Sequence, residues 1–189
     1  MNSGPLTVVL DASLTGPYTE MPLAEGLSTW DVLSYTVKAL ADSGTRVLVY
    51  AGNPPADFPG ERMPASEPGL GELIRFLNER RDEFGEDGRI LYHGAHMPFL
   101  DAALAARLRE VHEDYIAQFT FADGYPAGIA PQILSTEILG PLAHLMQGTN
   151  PRADDEALFA AVQKDVNAFD VETELAHEDY RMLRVRFAT

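Results

Sequence analysis

Short apolar runs alternate with longer amphipathic stretches along this chain, and loops rich in Gly and Pro separate them. Leu6-Thr-Val-Val-Leu10 is a compact, β-branched run of the kind that forms a strand buried on both faces. The segment 11–26 reads as a long loop, with two Pro and two Gly. Ser28 then serves as N-cap, with Asp31 three residues on, for a helix predicted over 29–42. Trp30, Val32, Leu33, Val37 and Leu40 supply its apolar face. Residues 46–51, Arg-Val-Leu-Val-Tyr-Ala, predict a second strand. This strand–helix–strand succession implies parallel pairing through a right-handed crossover.

The next stretch, 52–69, carries five Pro and is a loop with room for short extended pieces. A helix is predicted over 70–84, a strand over 90–93 and a helix over 102–116, with Leu104, Leu108 and Val111 aligned on the last. Residues 118–122 read as a strand at an antiparallel edge. Pro131-Gln-Ile-Leu134 leads into a helix over 135–146, and 154–162 predicts another. A final strand is placed at 166–171 and a final helix at 177–183. The sum is an α/β fold of three layers, α/β/α, on a mostly parallel sheet. No repeat, low-complexity tract or linker interrupts it, so 1–189 reads as a single domain of ordinary size. The ending, Leu183-Arg-Val-Arg-Phe-Ala-Thr189, reads as the beginning of a strand or linker. That is the pattern expected of the N-terminal part of a longer protein.

Charge narrows the possible partners. The net charge of −15 repels phosphate backbones and anionic lipid, so neither nucleic acid nor membrane is an expected partner. No cysteine is present, which excludes disulfides, thiolate catalysis and iron–sulfur ligation by this chain and fits a reducing, cytoplasmic setting. A small nucleotide remains compatible with the acidity, provided a helix N-terminus, an Arg or a divalent cation offsets its phosphates.

Four segments carry candidate chemistry. In doubly wound sheets, ligands bind beyond the carboxyl ends of the strands. The loop after the first strand, Asp11-Ala-Ser-Leu-Thr-Gly-Pro-Tyr18, is therefore a natural site. Yet no Lys or Arg occurs from Asp11 through Val37, and Asp11 and Glu20 repel phosphates. Asp11, Ser13 and Tyr18 are left as hydrogen-bonding groups for a base or sugar. The second segment, Arg89-Ile-Leu-Tyr-His-Gly-Ala-His-Met-Pro-Phe-Leu-Asp101, places His93 and His96 at a strand end, and Asp101 suits a helix N-cap. The third, 119–132, concentrates Gly, Pro, Asp and Tyr as substrate loops do; Asp123, Tyr125 and Gln132 are its candidates. The fourth, 164–181, offers Asp170 and Glu172 as oxygen ligands for Mg²⁺ or Mn²⁺.

Together these blocks resemble the nucleotide-diphospho-sugar transferase superfamily, the GT-A type fold, in its cytidylyl- and molybdopterin-nucleotidyltransferase branch. The specific matches are Met97-Pro-Phe-Leu-Asp101 and 170–180. The resemblance implies a nucleotide-sugar or acceptor pocket at the carboxyl edge of the sheet, lined on the acceptor side by a Pro-Gln segment such as Pro131-Gln132. It implies an Asp two residues before the Pro as the Mg²⁺ ligand; that position is His96 here. It also implies a Gly-rich basic loop after the first strand, which this chain lacks. The expectation is a nucleotidyltransferase-like domain with degraded catalytic motifs, with Asp170, Asp123 and His96 as its catalytic candidates and Asp170, Glu172 and His96 as its metal candidates. It would bind a nucleotide-sugar-like ligand or position a downstream domain. The alternative is an active metal-dependent nucleotidyl- or glycosyltransferase with an altered metal site. Residues 115–134 and 164–184 further resemble the N-terminal domain of spiro-SPASM proteins, which implies a radical SAM domain following this one.

Overall fold

The computed structural model describes residues 5–15, 22–40, 45–85, 87–154 and 156–185. Seven strands form one sheet: β1 (Leu6–Asp11), β2 (Arg46–Tyr50), β3 (Glu61–Met63), β4 (Arg89–Gly94), β5 (Phe119–Asp123), β6 (Gln132–Ser135) and β7 (Val171–Leu175). Among the described residues, five α-helices accompany them: α1 (Thr29–Leu40), α2 (Leu70–Glu79), α3 (Ala102–Asp114), α4 (Leu139–Leu145) and α5 (Ala157–Gln163). The spatial order is β3-β2-β1-β4-β6-β5-β7, and β6 alone runs antiparallel to its neighbours.

The central strands are buried on both faces, as their unbroken apolar runs require. Val8, Leu10, Val49 and Leu91 pack under Trp30, Leu33 and Val37 of α1 and Ala105 of α3. Val9, Leu48, Tyr50, Ile90 and Tyr92 face the other way, onto α2, α4 and α5. The period of two along each strand thus divides one sequence between two cores and produces the three layers.

Local signals set the helix starts. Ser28 and Asp31 form the reciprocal cap: the Asp31 N–H donates to Ser28 Oγ, and the Ser28 N–H donates to Asp31 Oδ2. Asp101 accepts from the N–H groups of Ala103 and Leu104 at 2.8 and 3.0 Å and so starts α3.

Several expectations change. β5 is not an edge strand, because β7 lies outside it and pairs with it in parallel. The antiparallel strand is β6, which takes up Gln132-Ile-Leu-Ser135 ahead of a short 3₁₀ turn and α4. The last strand falls at Val171–Leu175, with a 3₁₀ turn where the strand was expected to begin. No helix forms over 177–183. That segment runs in bends and turns, with Tyr180 N–H donating to Gly124 O and Ala127 N–H to Leu183 O.

Candidate ligand cleft at the carboxyl edge of the sheet

β1, β2, β4, β5 and β7 all end at the same edge of the sheet, and β6 begins there. A cleft of about 380 Å³ opens at that edge. Tyr92, His93 and Gly94 of β4 form its floor. Asp123 ends β5 beside it, and the loop 124–131 forms one wall together with Tyr125 and Gln132. Asp154, Glu156, Phe159 and Arg181 also line the cleft. Phe121 and Phe159 meet with ring centres 4.5 Å apart, giving the cleft an apolar flank.

Beneath the floor, the Tyr92 hydroxyl donates to Asp11 Oδ2 at 3.1 Å, and the Ser13 N–H donates to Asp11 Oδ1 at 2.8 Å. Asp11 is 1% exposed. Its burial pushes the carboxyl above the usual range, while its hydrogen bonds from Ser13 and Tyr92 pull the other way. Replacing Tyr92 by Phe removes one of these donors from a buried acceptor. The expected cost is about 1–3 kcal/mol of folding stability, read as a lower urea midpoint at unchanged slope.

His93 sits at the inner end of the cleft, 1% exposed, with Nε2 2.6 Å from the Met97 carbonyl. That acceptor requires the proton on Nε2. The Ala130 backbone also approaches the ring and, like Met97, favours its protonated form, while Nδ1 is buried without a well-aligned partner among the described residues. Burial pushes the imidazole down to about 4, so it is neutral at pH 7.

The sequence candidates separate into two groups. Asp123, Tyr125 and Gln132 come together in the cleft, with His93 below them. Asp11 and Ser13 lie behind Tyr92, and Tyr18 lies outside the described residues. The proposed metal set of Asp170, Glu172 and His96 is not brought together. Asp170 precedes β7 at the opposite edge, where its carbonyl accepts from the Gln118 and Phe119 N–H groups. The five residues of β7 separate it from the cleft by roughly 17 Å. Glu172 lies within β7 beside Thr120, and His96 is buried in the turn after β4, packed on Gly94. Among the described residues, no three His, Asp or Glu side chains cluster as metal ligands, so these residues do not fit the expected Mg²⁺ or Mn²⁺ site.

Cations that could compensate for the missing basic loop are held elsewhere. Arg46 pairs with Glu61 and Glu83, and Arg89 pairs with Glu113. Arg62 donates to Asn53 and to the Pro54 carbonyl. Arg181 is gripped at both ends by Asp179, at 2.9 and 2.7 Å, and lies 3.7 Å from Asp123. Asp154, Glu156 and Arg181 were not legible as site residues. Nothing local in an acidic helix start or a bend says which edge of the sheet it reaches.

This geometry has many solved counterparts. A cytidylyltransferase from Leptospira borgpetersenii serovar Hardjo-bovis superposes with a TM-score of 0.69 at 14% identity, over 98% of this chain and 81% of that one. The fold is that of the cytidylyltransferases. The 2-C-methyl-D-erythritol 4-phosphate cytidylyltransferase of Thermus thermophilus gives 0.62 at 14% identity, covering 97% of this chain and 92% of that one. Rv0371c of Mycobacterium tuberculosis, in complex with manganese, gives 0.63 at 13% identity, covering 92% and 88%. By sequence, an uncharacterized protein of Treponema pallidum (strain Nichols) is 38% identical over 53 residues, which is 28% of this chain and 24% of that protein. No family model matches the chain. No helix among the described residues is long and apolar enough to cross a membrane.

Proposed function

We propose that this chain is a ligand-binding domain on the nucleotidyltransferase fold, whose cleft receives the sugar-like part of a nucleotide-sugar-like ligand without transferring a nucleotide. The chemistry of the cleft wall carries the reading. Triphosphate transfer relies on cations to hold developing charge. Among the described residues, the cleft instead combines Asp123, Asp154 and Glu156 with one cation, Arg181, which pairs with Asp179. The loop after β1 adds no Lys or Arg. Asp123, Tyr125 and Gln132 supply hydrogen-bonding groups to sugar hydroxyls, and Phe121 and Phe159 supply an apolar flank.

The test is calorimetry with CTP, UDP-glucose and other sugar nucleotides, with and without Mg²⁺ or Mn²⁺, alongside an assay for pyrophosphate release. Metal-independent binding of a sugar nucleotide, weakened in D123N and without turnover, is the expected result. Metal-dependent pyrophosphate release would establish the alternative, an active transferase. The resemblance of 115–134 and 164–184 to spiro-SPASM N-terminal domains supports a role beside a radical SAM domain; co-purification with such a domain encoded in the same reading frame tests it.

A further inference from the structure

We propose that residues 176–185 form a detachable strap on the cleft wall, that the strap delivers Arg181 to the bound ligand, and that strap attachment and ligand binding are one linked equilibrium. The inference rests on the cleft being a sugar-nucleotide site and adds a moving part to it.

After β7 the chain runs along the cleft wall on main-chain hydrogen bonds. The Ala176 N–H donates to the Asp123 carbonyl at 2.9 Å, and the Tyr180 N–H to the Gly124 carbonyl at 2.6 Å. Ala127 donates to the Leu183 carbonyl at 3.0 Å and accepts from the Val185 N–H at 2.8 Å. Asp123, Gly124 and Ala127 all line the cleft, so the strap is an outer layer on its wall. Side chains add little to this attachment. Ala176 and Val185 are half-buried at the two ends, and every residue from His177 to Arg184 is exposed, Met182 to 92%. Exposed backbone hydrogen bonds with few buried apolar contacts mark a segment that opens while the rest of the fold stays closed.

Gly124 is where wall and strap meet most closely. Its φ of +82° lies in the region that favours glycine, and a Cβ there would sit 3.0 Å from Ala176 Cβ. Arg181 links the strap to a ligand. Its backbone N–H and Nε donate to Asp179 Oδ1, and its Nη2 donates to Asp179 Oδ2. Asp179 belongs to the strap too, so the guanidinium is oriented by the strap and travels with it. Nη1 forms a 3.7 Å ion pair with Asp123 Oδ1 and keeps donors for a ligand oxygen. A ligand oxygen that accepts from Nη1 gains that contact only while the strap is attached. Such a ligand binds the attached state more tightly than the detached one and shifts the population toward it.

The experiment is amide hydrogen exchange, followed by NMR on the full chain with and without UDP-glucose in the absence of metal. In the free chain the amides of Ala127, Ala176, Tyr180 and Val185 are expected to exchange well ahead of those of β4. At saturating UDP-glucose they should slow by about tenfold or more. Tyr180→Pro removes the N–H that Gly124 accepts, on an exposed residue of the strap. It is expected to weaken UDP-glucose binding about tenfold, in proportion to the attached fraction lost, with the urea midpoint unchanged. Arg181→Ala should weaken binding as well, and the two losses should not add in Y180P/R181A, because a detached strap no longer delivers the guanidinium. Strap amides as protected as β4 in the free chain, protection that bound UDP-glucose leaves unchanged, or wild-type affinity in Y180P would each overturn the strap while leaving the sugar site intact. No binding of UDP-glucose or of any other sugar nucleotide would overturn the sugar site, and the role of the strap with it.

Discussion

Lowering the pH from 7 to 4.5 is expected to remove a large share of the folding stability of this chain, and two buried histidines are the cause. His93 and His112 are both pushed down to about 4, chiefly by burial, and Arg89 adds to the effect at His112. Their hydrogen bonds fit the neutral ring. His112 lies 2.8 Å from Thr120 Oγ1 through Nδ1 and 3.1 Å from Ser135 Oγ through Nε2. Ser135 Oγ in turn donates to the Ala117 carbonyl, so it accepts from His112.

In the unfolded chain an imidazole takes up its proton near pH 6.5, and in the folded chain only near 4. Between those values the unfolded state binds more protons, so stability falls as the pH falls and levels off below about 4. Each residue contributes about 2–3 kcal/mol by pH 4.5, at about 1.4 kcal/mol for every pH unit between the two values, against a typical total of roughly 5–15. Asp11 acts the other way, because its raised carboxyl binds a proton more readily when folded, and it offsets part of the loss. Urea midpoints measured from pH 7 down to 4.5 check this. A variant without His112 should have a shallower pH dependence, whatever its absolute stability. A pH dependence that is the same with and without His112 would show that this imidazole carries no desolvation penalty.

The interior of the fold was legible because burial on both faces leaves an unmistakable pattern. Leu6-Thr-Val-Val-Leu10 and Arg89-Ile-Leu-Tyr-His93 have no other stable role than central strands, and the Ser28–Asp31 and Asp101 caps fix where their neighbouring helices begin. The edge was less legible. Val171-Glu-Thr-Glu-Leu175 alternates weakly and is only half-buried, so its register depends on pairing with β5, which the local sequence does not encode. The same non-local pairing decides the fate of the candidate site. Asp123 and Asp170 looked equivalent as carboxylates at strand ends. In the structure one ends β5 at the cleft, and the other precedes β7 at the far edge. The Tyr92–Asp11 bond spans 81 positions and has no sequence signature.

Gly94→Ala is expected to disrupt the floor of the cleft and lower stability by about 1–3 kcal/mol, the cost of overpacking a filled interior. An added Cβ at Gly94 would sit 2.5 Å from Cε1 and 2.8 Å from Nδ1 of His96, and 3.0 Å from Cε of Met97. All three residues are buried, so the crowding has no solvent-exposed way out. Displacing Met97 also moves the carbonyl that fixes the proton of His93 on Nε2, so ligand binding should fall together with stability. The residue that stands where the resemblance expects a metal-binding carboxylate is thus a packing partner: His96 fills the space that Gly94 leaves open. A double-mutant cycle separates this from a simple loss of turn geometry. His96→Ala removes the atoms that the new methyl would strike, so G94A/H96A should be more stable than the two single losses summed, by about 1 kcal/mol or more. Strict additivity would mean that Gly94 and His96 act independently and that the turn needs its glycine for some other reason.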